Sequence, residues 1–139
     1  MSEATPEPTA APEPPPTLYG VPLSDSRGQR VLHPSRDQYV KTVRALLDDT
    51  FTTVSDLTAV DYLQFMQRSL PASVAAERFE VVVNLLSIER RERLRLRVQV
   101  PEADPTVATL FDMYPGTEAM EREVYDMFGI EFTDHPDLT

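Results

Sequence analysis

The side chains most suited to chemistry are concentrated near the C-terminal end of the sequence, in residues 118–137. Carboxylates recur throughout this segment, and one of the two histidines of the chain, His135, lies within it. A carboxylate beside an imidazole is a pairing used in general acid–base catalysis. Glu121 and His135 are therefore one acid–base hypothesis. Spacing alone gives it a low rank, since charged faces of helices usually contact only water.

The same segment has the pattern of an amphipathic helix. Thr117 suits its N-cap, Glu118 suits the positive end of the helix dipole, and Gly129 suits the left-handed position after the last turn. Glu121 lies at the edge of the apolar arc of this helix, and if it is buried it needs a hydrogen-bond donor, because a lone desolvated charge is costly. The arc itself consists of Met120, Val124, Met127 and Phe128.

Three arginines alternate with apolar residues along residues 93–100. Arg93, Arg95 and Arg97 share one face of the predicted strand, where their guanidinium groups could bind phosphate or an acidic partner. No aromatic residue interleaves with them, and the net charge of −10 repels nucleic acid and anionic lipid. A solvated or internally paired face is favoured, a protein-docking face is the alternative, and nucleic-acid binding ranks last.

The composition does not support a cofactor or metal site. The chain has no cysteine, which excludes thiolate-held iron–sulfur clusters, cysteine-bound zinc and disulfides. Its four glycines are far apart, so they cannot form a phosphate-binding loop. His33 and His135 are also far apart, and each is interpreted as a turn or capping residue rather than a metal ligand. No apolar run approaches the roughly 20 residues of a membrane helix.

The strands that must position these residues are predicted from their composition and periodicity. Residues 51–63 are rich in β-branched and aromatic residues and predict one strand. In the middle of residues 78–88, both the odd and the even positions are apolar, so this strand is expected to be covered on both faces. With the alternating residues 93–100 it predicts a β-hairpin.

The helices are predicted at both ends of this strand region. Ser35 suits the cap of a helix that continues to about Asp49. Residues 107–114 are expected to form a short helix before the amphipathic one, and residues 18–33 are expected to be irregular. The elements together predict an α+β fold: a single domain with a largely antiparallel sheet, an N-terminal helix and C-terminal helices.

The composition divides the chain once, near residue 17. Residues 1–17 hold six of the thirteen prolines, carry three carboxylates and have no basic side chain. Such a segment cannot bury enough apolar surface to offset the entropy of ordering. We expect residues 1–17 to be a disordered, Pro-rich acidic tail and residues 18–139 to be the domain.

Residues 121–138 resemble the signature of a known family. They read Glu121-Arg122-Glu123-Val124-Tyr125-Asp126-Met127-Phe128-Gly129-Ile130, followed by Phe132 and by His135-Pro136-Asp137-Leu138. This pattern is similar to that of the C subunit of NADH-quinone oxidoreductase, which belongs to the peripheral arm of respiratory complex I. Residues 56–62, residues 78–86 and the strand of alternating arginines also resemble the family in order and spacing. The resemblance covers about residues 34–139.

The resemblance implies a cofactor-free scaffold subunit, not catalytic by itself, of a proton-translocating NADH:quinone oxidoreductase. In that enzyme other subunits carry electrons from NADH through FMN and iron–sulfur clusters to quinone. The implied partners are chiefly the large quinone-site subunit and the small cluster-bearing subunit. The implied location is the cytoplasmic side of the cell membrane, which this subunit would reach only through the complex.

The resemblance also implies structural or interfacial roles, and no catalytic role, for the signature residues. The donor to Glu121 is then expected from a neighbouring subunit rather than from an arginine of this domain. The residues concerned are Glu121, Arg122, Glu123, Tyr125, Asp126, Phe128, Gly129, His135, Pro136 and Asp137.

Two features depart from the family pattern. Met120 stands where the family commonly has tryptophan, and the chain ends at Thr139 where the family continues into a further basic segment. The chain is therefore interpreted as C-terminally truncated. The alternatives are a homologous subunit of a membrane-bound hydrogenase-type energy-converting complex and a free-standing protein-binding module. The acid–base enzyme ranks last.

Overall fold

The computed structural model describes residues 15–64 and 67–136. Within them the chain forms two helices and eight strands, so the predicted α+β fold with an N-terminal helix is confirmed. The helices are α1 (Arg36–Asp48), between the third and fourth strands, and α2 (Thr117–Phe128), between the last two. The strands are β1 (Thr17–Leu18), β2 (Val21–Ser26), β3 (Gln29–Leu32), β4 (Thr53–Asp61), β5 (Phe79–Ser87), β6 (Glu92–Val100), β7 (Thr106–Ala108) and β8 (Glu131–Thr133).

Six strands form one sheet in the order β1-β2-β3-β6-β5-β4. Neighbouring strands are antiparallel except β3 and β6, which are parallel. The parallel pair arises because α1 is a crossover: it returns the chain so that β4 has the same direction as β3, and the β5–β6 hairpin then fills the space between them. The predicted hairpin is confirmed, with Phe79 opposite Val100 and Ser87 opposite Glu92. β7 and β8 form a separate parallel pair.

The core lies on one face of the sheet, under the two helices. The covered face of the central hairpin and the inner face of α1 contribute Val81, Val83, Leu85, Leu94, Leu96, Val98, Tyr39, Val43 and Leu46, all with 0% exposure. The opposite face of β5 is only half-buried at Val82 and Leu86, so the expectation of burial on both faces is wrong. These two side chains lie opposite Arg97 and Arg93, and the aliphatic parts of arginines can cover such apolar surface.

The helix ends follow the expected capping chemistry in part. The side chain of Ser35 accepts a hydrogen bond from the backbone of Gln38, whose side chain accepts one from the backbone of Ser35, so a complete capping box begins α1. Gly129 ends α2 with φ of 74°, the expected left-handed position. The N-cap of α2 is Gly116 rather than Thr117, which is the first residue of the helix and makes no side-chain cap.

Two segments differ from their predicted structure. Residues 18–33, expected to be irregular, contain most of the β1–β2–β3 meander. Pro22 is accommodated in β2 because only its carbonyl is needed, to accept a hydrogen bond from the His33 backbone at 2.9 Å. Residues 107–114, expected to be a helix, contain the end of β7 and a turn closed by the Tyr114 backbone N–H bonding the Leu110 carbonyl at 2.8 Å.

The expected tail falls mainly outside the described residues, which begin at Pro15. Thr17, its last residue, already belongs to β1, and the Pro16 carbonyl accepts a hydrogen bond from the Leu23 backbone at 3.0 Å. The ordered sheet therefore includes residues 16 and 17, and the disorder of the preceding residues stays a prediction.

Candidate functional site

Helix α2 and the residues after it divide the predicted signature into an inner and an outer set. Glu121 and His135 are internal, with 0% side-chain exposure, and Phe128 is half-buried. The outer set is exposed and consists of Arg122, Glu123, Tyr125, Asp126, Gly129 and Pro136. Asp137 lies outside the described residues. Met127, expected in the packed arc, is 69% exposed, so that expectation is wrong and Glu121 lies on the inner face of α2 instead.

The carboxylate of Glu121 connects α2 to the turn after β7. One oxygen, Oε2, accepts a hydrogen bond from the Leu110 backbone N–H at 2.8 Å, and the other, Oε1, accepts one from the Thr109 hydroxyl at 2.5 Å. The same hydroxyl oxygen accepts from the Phe111 backbone at 3.1 Å. The donors are thus inside the domain and are not arginines, which differs from the expected donor on a neighbouring subunit.

His135, two residues after β8, completes this internal cluster. Its Nε2 lies 2.9 Å from the Glu118 carbonyl, and because a carbonyl only accepts, Nε2 carries the proton and donates. The same nitrogen lies 3.9 Å from Glu121 Oε1. The Thr109 backbone N–H in turn donates to the Thr133 carbonyl at 3.1 Å. Glu121 and His135 therefore tie together α2, the turn after β7, and β8.

Burial is the main influence on the protonation of Glu121. It raises the pKa of this carboxyl, while the hydrogen bonds from Thr109 and Leu110 and the nearby His135 act in the opposite direction. A catalytic acid or base must come within hydrogen-bond reach of a substrate. Neither side chain has exposed surface, so a substrate cannot approach the Glu121–His135 pair. The pair instead holds α2 to the neighbouring elements by hydrogen bonds, and we call it the latch.

A second polar cluster lies on the opposite face of the sheet, where the alternating arginines were predicted. Arg97 Nε donates to Glu80 Oε1 at 2.9 Å, and Gln99 donates to Glu80 Oε2 at 2.7 Å. Burial works against the charge of Arg97, but the hydrogen bond and negative charge of Glu80, together with a smaller effect of Tyr62, outweigh it and raise the pKa of this arginine. Arg95 donates to the Asn84 side chain at 3.1 Å. The favoured interpretation, an internally paired face, therefore holds for Arg95 and Arg97, while Arg93 is exposed.

His33 lies at the end of β3 beside this cluster and is 2% exposed. Its Nε2 lies 2.7 Å from the Ser24 hydroxyl. Burial and the neighbouring Arg97 lower the pKa of His33 to about 4, against a weaker effect of Glu80. The ring is therefore neutral at physiological pH. It is a packed histidine at the end of the sheet rather than the expected turn or capping residue.

Two functional groups of these clusters were missed from the sequence. Glu80 could have been found, because the register of a tight β5–β6 hairpin places it opposite Gln99 and diagonal to Arg97. Thr109 gave no such signal, since its approach to Glu121 depends on the packing of α2 against the turn. Within the described residues, no group of three histidine or acidic side chains could hold a metal ion. Nor does that part contain a helix long and apolar enough to cross a membrane.

Comparison with known proteins supplies the family context for this geometry. Residues 32–139 match the family model described as the 30 kDa subunit of respiratory-chain NADH dehydrogenase. The match begins at the end of β3 and covers α1, the central hairpin, α2 and both polar clusters.

Individual relatives agree with this match. The C subunit of the NADH-quinone oxidoreductase of Herpetosiphon aurantiacus is 40% identical over 119 residues, which cover 84% of this chain and 64% of that protein. The chain thus spans somewhat less than two thirds of the length of that relative. A solved structure, the trypsin-resistant fragment (1–134) of Nqo5, is 34% identical with a TM-score of 0.75, covering 86% of this chain and 90% of that one.

A more distant structure shares the fold. A chain of the membrane-bound sulfane sulfur reductase, an archaeal respiratory membrane complex, superposes with a TM-score of 0.67 over 83% of this chain and 63% of that one. Its sequence identity of 21% makes this a likeness of fold alone.

Proposed function

Because the chain belongs to the family of the 30 kDa subunit of respiratory-chain NADH dehydrogenase, we propose that it is a scaffold subunit of a proton-translocating NADH:quinone oxidoreductase. In this role it carries no electrons. NADH oxidation, FMN, the iron–sulfur clusters and quinone reduction belong to other subunits of the complex. The subunit contributes a rigid surface on which those subunits assemble.

The observation that carries this proposal is the family match over both helices and the central hairpin. Two further observations support a non-catalytic role. The sequence has no cysteine with which to hold a cluster. The acid–base pair of the signature, Glu121 and His135, is sealed inside the domain and directs its hydrogen-bonding groups to backbone and hydroxyl partners.

The partners proposed are chiefly the large quinone-site subunit and the small cluster-bearing subunit, with no nucleic acid. The outer surface of α2 is a suitable contact region, because it combines exposed aromatic and thioether groups with charge. Tyr125 is 39% exposed and Met127 is 69% exposed, and beside them Arg122 forms an ion pair with Asp126 at 3.6 Å. Aromatic residues, methionine and arginine are enriched at protein interfaces. Through these partners the subunit is held peripherally at the cytoplasmic side of the cell membrane.

The test is to identify what the chain assembles with in its own cells. An affinity-tagged chain, isolated under mild detergent and analysed by mass spectrometry, should co-purify with the flavin-, cluster- and quinone-site subunits of the oxidoreductase. The isolated chain itself should contain neither flavin nor iron. Recovery with subunits of a hydrogenase-type complex would assign the chain to that complex instead of the oxidoreductase. Recovery with no respiratory subunit would favour a free-standing binding module. Stoichiometric flavin or iron in the isolated chain would contradict the scaffold role.

A further inference from the structure

Two hairpin turns bring arginines together at one end of the six-stranded sheet. The β2–β3 turn contains Arg27, and the β5–β6 turn contains Arg91. Because β3 and β6 are parallel neighbours, with Val31 opposite Arg95, the two turns precede the same end of the sheet and lie side by side. A surface depression between them is lined by four arginines, which we call the basic corner: Arg27, Arg30, Arg91 and Arg93.

The basic corner has a local surplus of positive charge. Among the residues that line it, Glu92 is the one acid, and it forms an ion pair with Arg30. Within residues 15–64 and 67–136, none of the ion pairs includes the guanidinium group of Arg27, Arg91 or Arg93. The nearby carboxylate of Asp25 is engaged by the Gly28 backbone N–H at 2.9 Å. The chain as a whole carries a net charge of −10, so the charge of the corner is opposite in sign to the net charge of the molecule.

The turns themselves do not require arginine. Arg27 has φ of 55° and Arg91 has φ of 53°, the left-handed backbone region that glycine and asparagine adopt at least cost. Two long cationic side chains therefore occupy positions where the backbone favours other residues, and both are exposed. Hairpin geometry accounts for the shape of the corner but not for its charge.

We propose that the basic corner docks an acidic segment of a neighbouring protein subunit, an inference that rests on the proposed scaffold function. The charge of the corner selects carboxylates, and guanidinium groups bind them in paired hydrogen bonds. A segment of chain is narrow enough to contact the corner alone. A lipid surface or a nucleic acid is broader, and the net charge of −10 on the chain opposes its approach.

The first experiment removes the charge without disturbing the turns. The double variant Arg27→Asn and Arg91→Asn places asparagine at both positions, and asparagine tolerates the left-handed backbone region. The fold should therefore be retained. The complex recovered on the tagged variant should fall about threefold or more, because charge at the rim of an interface governs association and its salt dependence. Recovery on the wild-type chain should decline as salt is raised, and recovery on the variant should be low and nearly independent of salt.

A matched control makes the same change of charge elsewhere. Lys41→Gln with Arg44→Gln removes two exposed cations from the outer side of α1 and lowers the net charge equally. Recovery of the complex on this control should match the wild type. An equal loss on both double variants would assign the effect to net charge and overturn the docking site.

The second experiment identifies the occupant. The variant Arg27→Lys with Arg91→Lys keeps both charges and provides primary amines, which a carbodiimide couples to a contacting carboxylate as an amide with loss of water. Treatment of the intact complex should link the introduced lysines to an acidic segment of another subunit. Links confined to the carboxylates of this chain, such as Glu3, Glu7 or Glu13, would overturn the proposal.

The remaining outcomes separate this inference from the proposed function. Normal complex recovery on Arg27→Asn with Arg91→Asn would refute the docking site while leaving the scaffold role intact. Loss of binding to phosphatidylserine-containing vesicles by that variant, with recovery of the complex unchanged, would assign the corner to lipid instead. If the wild-type chain assembles with no respiratory subunit, the proposed function itself fails.

Discussion

A fully buried carboxylate has to find its partners inside the fold, and Glu121 finds a backbone N–H, a hydroxyl and a nearby imidazole. None of these is the arginine or external donor that the sequence suggested. The sequence indicated that the position was critical, because a carboxylate stood at the edge of an apolar arc. The identity of its donors could not be predicted, since it depends on how the turn at residues 109–114 packs against α2.

The latch can be tested with Glu121→Gln, which keeps the shape of the side chain and replaces an acceptor by a donor. The new NH₂ group would face either the Leu110 N–H or the Thr109 hydroxyl. We expect the free energy of unfolding of the full chain to fall by about 1 to 3 kcal/mol. Glu123→Gln, on the exposed side of the same helix, should change it by less than about 0.5 kcal/mol. Equal stability of the two variants in denaturant unfolding would refute the latch.

His33 should make stability depend on pH in a window of its own. The pKa of this histidine is lowered from 6.5 to about 4 in the folded chain, so below pH 6.5 the unfolded chain binds a proton that the folded chain does not. Stability is therefore retained at neutral pH and lost as the pH falls from 6.5 towards 4, by about 2 to 3 kcal/mol. Unfolding titrations of the wild type and of His33→Gln should show a smaller decline in the variant. Parallel curves would mean that His33 does not carry this dependence.

At the scale of elements, the strongest periodic patterns were predicted correctly and the polar hairpin was not. The central hairpin has clear alternation of apolar and polar residues. Helix α1 has clear helical spacing, and the capping box at Ser35 agrees with its predicted start. The β2–β3 hairpin contains Pro22, Gly28 and several polar residues, which resemble a loop. It forms a strand pair because β3 is hydrogen-bonded to β2 on one side and to β6 on the other. The pairing with β6 is distant in the sequence, so a short sequence window cannot predict it.

Two glycines at the ends of α2 allow the backbone contribution to be measured separately from packing. An added Cβ would meet nothing within 4 Å at either Gly116 or Gly129. Gly129 has φ of 74°, so Gly129→Ala should lower the free energy of unfolding by about 1 kcal/mol through backbone strain alone. Gly116 has φ of −65°, which alanine adopts without strain, so Gly116→Ala should lower the free energy of unfolding less than Gly129→Ala does, by no more than the weak preference of an N-cap for glycine over alanine. Thermal unfolding of the two variants checks this, and a loss at Gly116 equal to that at Gly129 would contradict it.

At the scale of the whole molecule, one boundary remains to be tested. We predict that residues 1–14 are dispensable for folding, because they contain prolines and carboxylates but no large apolar side chain beyond Met1. Deleting residues 1–14 should leave the melting temperature nearly unchanged. Deleting residues 1–18 is the comparison, since it also removes β1 and the hydrogen bond to the Pro16 carbonyl, and it should lower the melting temperature. A drop of several degrees for the shorter deletion would show that the first residues pack on the domain.

The fold class could be predicted from the sequence, but the order of the strands could not. Periodicity identifies each strand separately and carries no information on which strand lies beside which. The α1 crossover carries the chain from β3 to β4 without pairing these two strands. The later β5–β6 hairpin then inserts between them, and this insertion sets the order of the sheet.

This strand order has a consequence for how the molecule acquires its structure. β3 and β4 are made early in synthesis, but β6 and β5, the strands that join them into one sheet, are more than a dozen residues further along the chain. Until β6, which ends at Val100, has left the ribosome, the α1 crossover has no complete sheet to cover, and the first half of the chain is a set of elements without a common core. The parallel pairing of β3 with β6 adds contacts of long sequence separation, which slow folding. A nascent chain ending before β6 should therefore be open to proteases and chaperones, and protection should arise abruptly once the hairpin inserts.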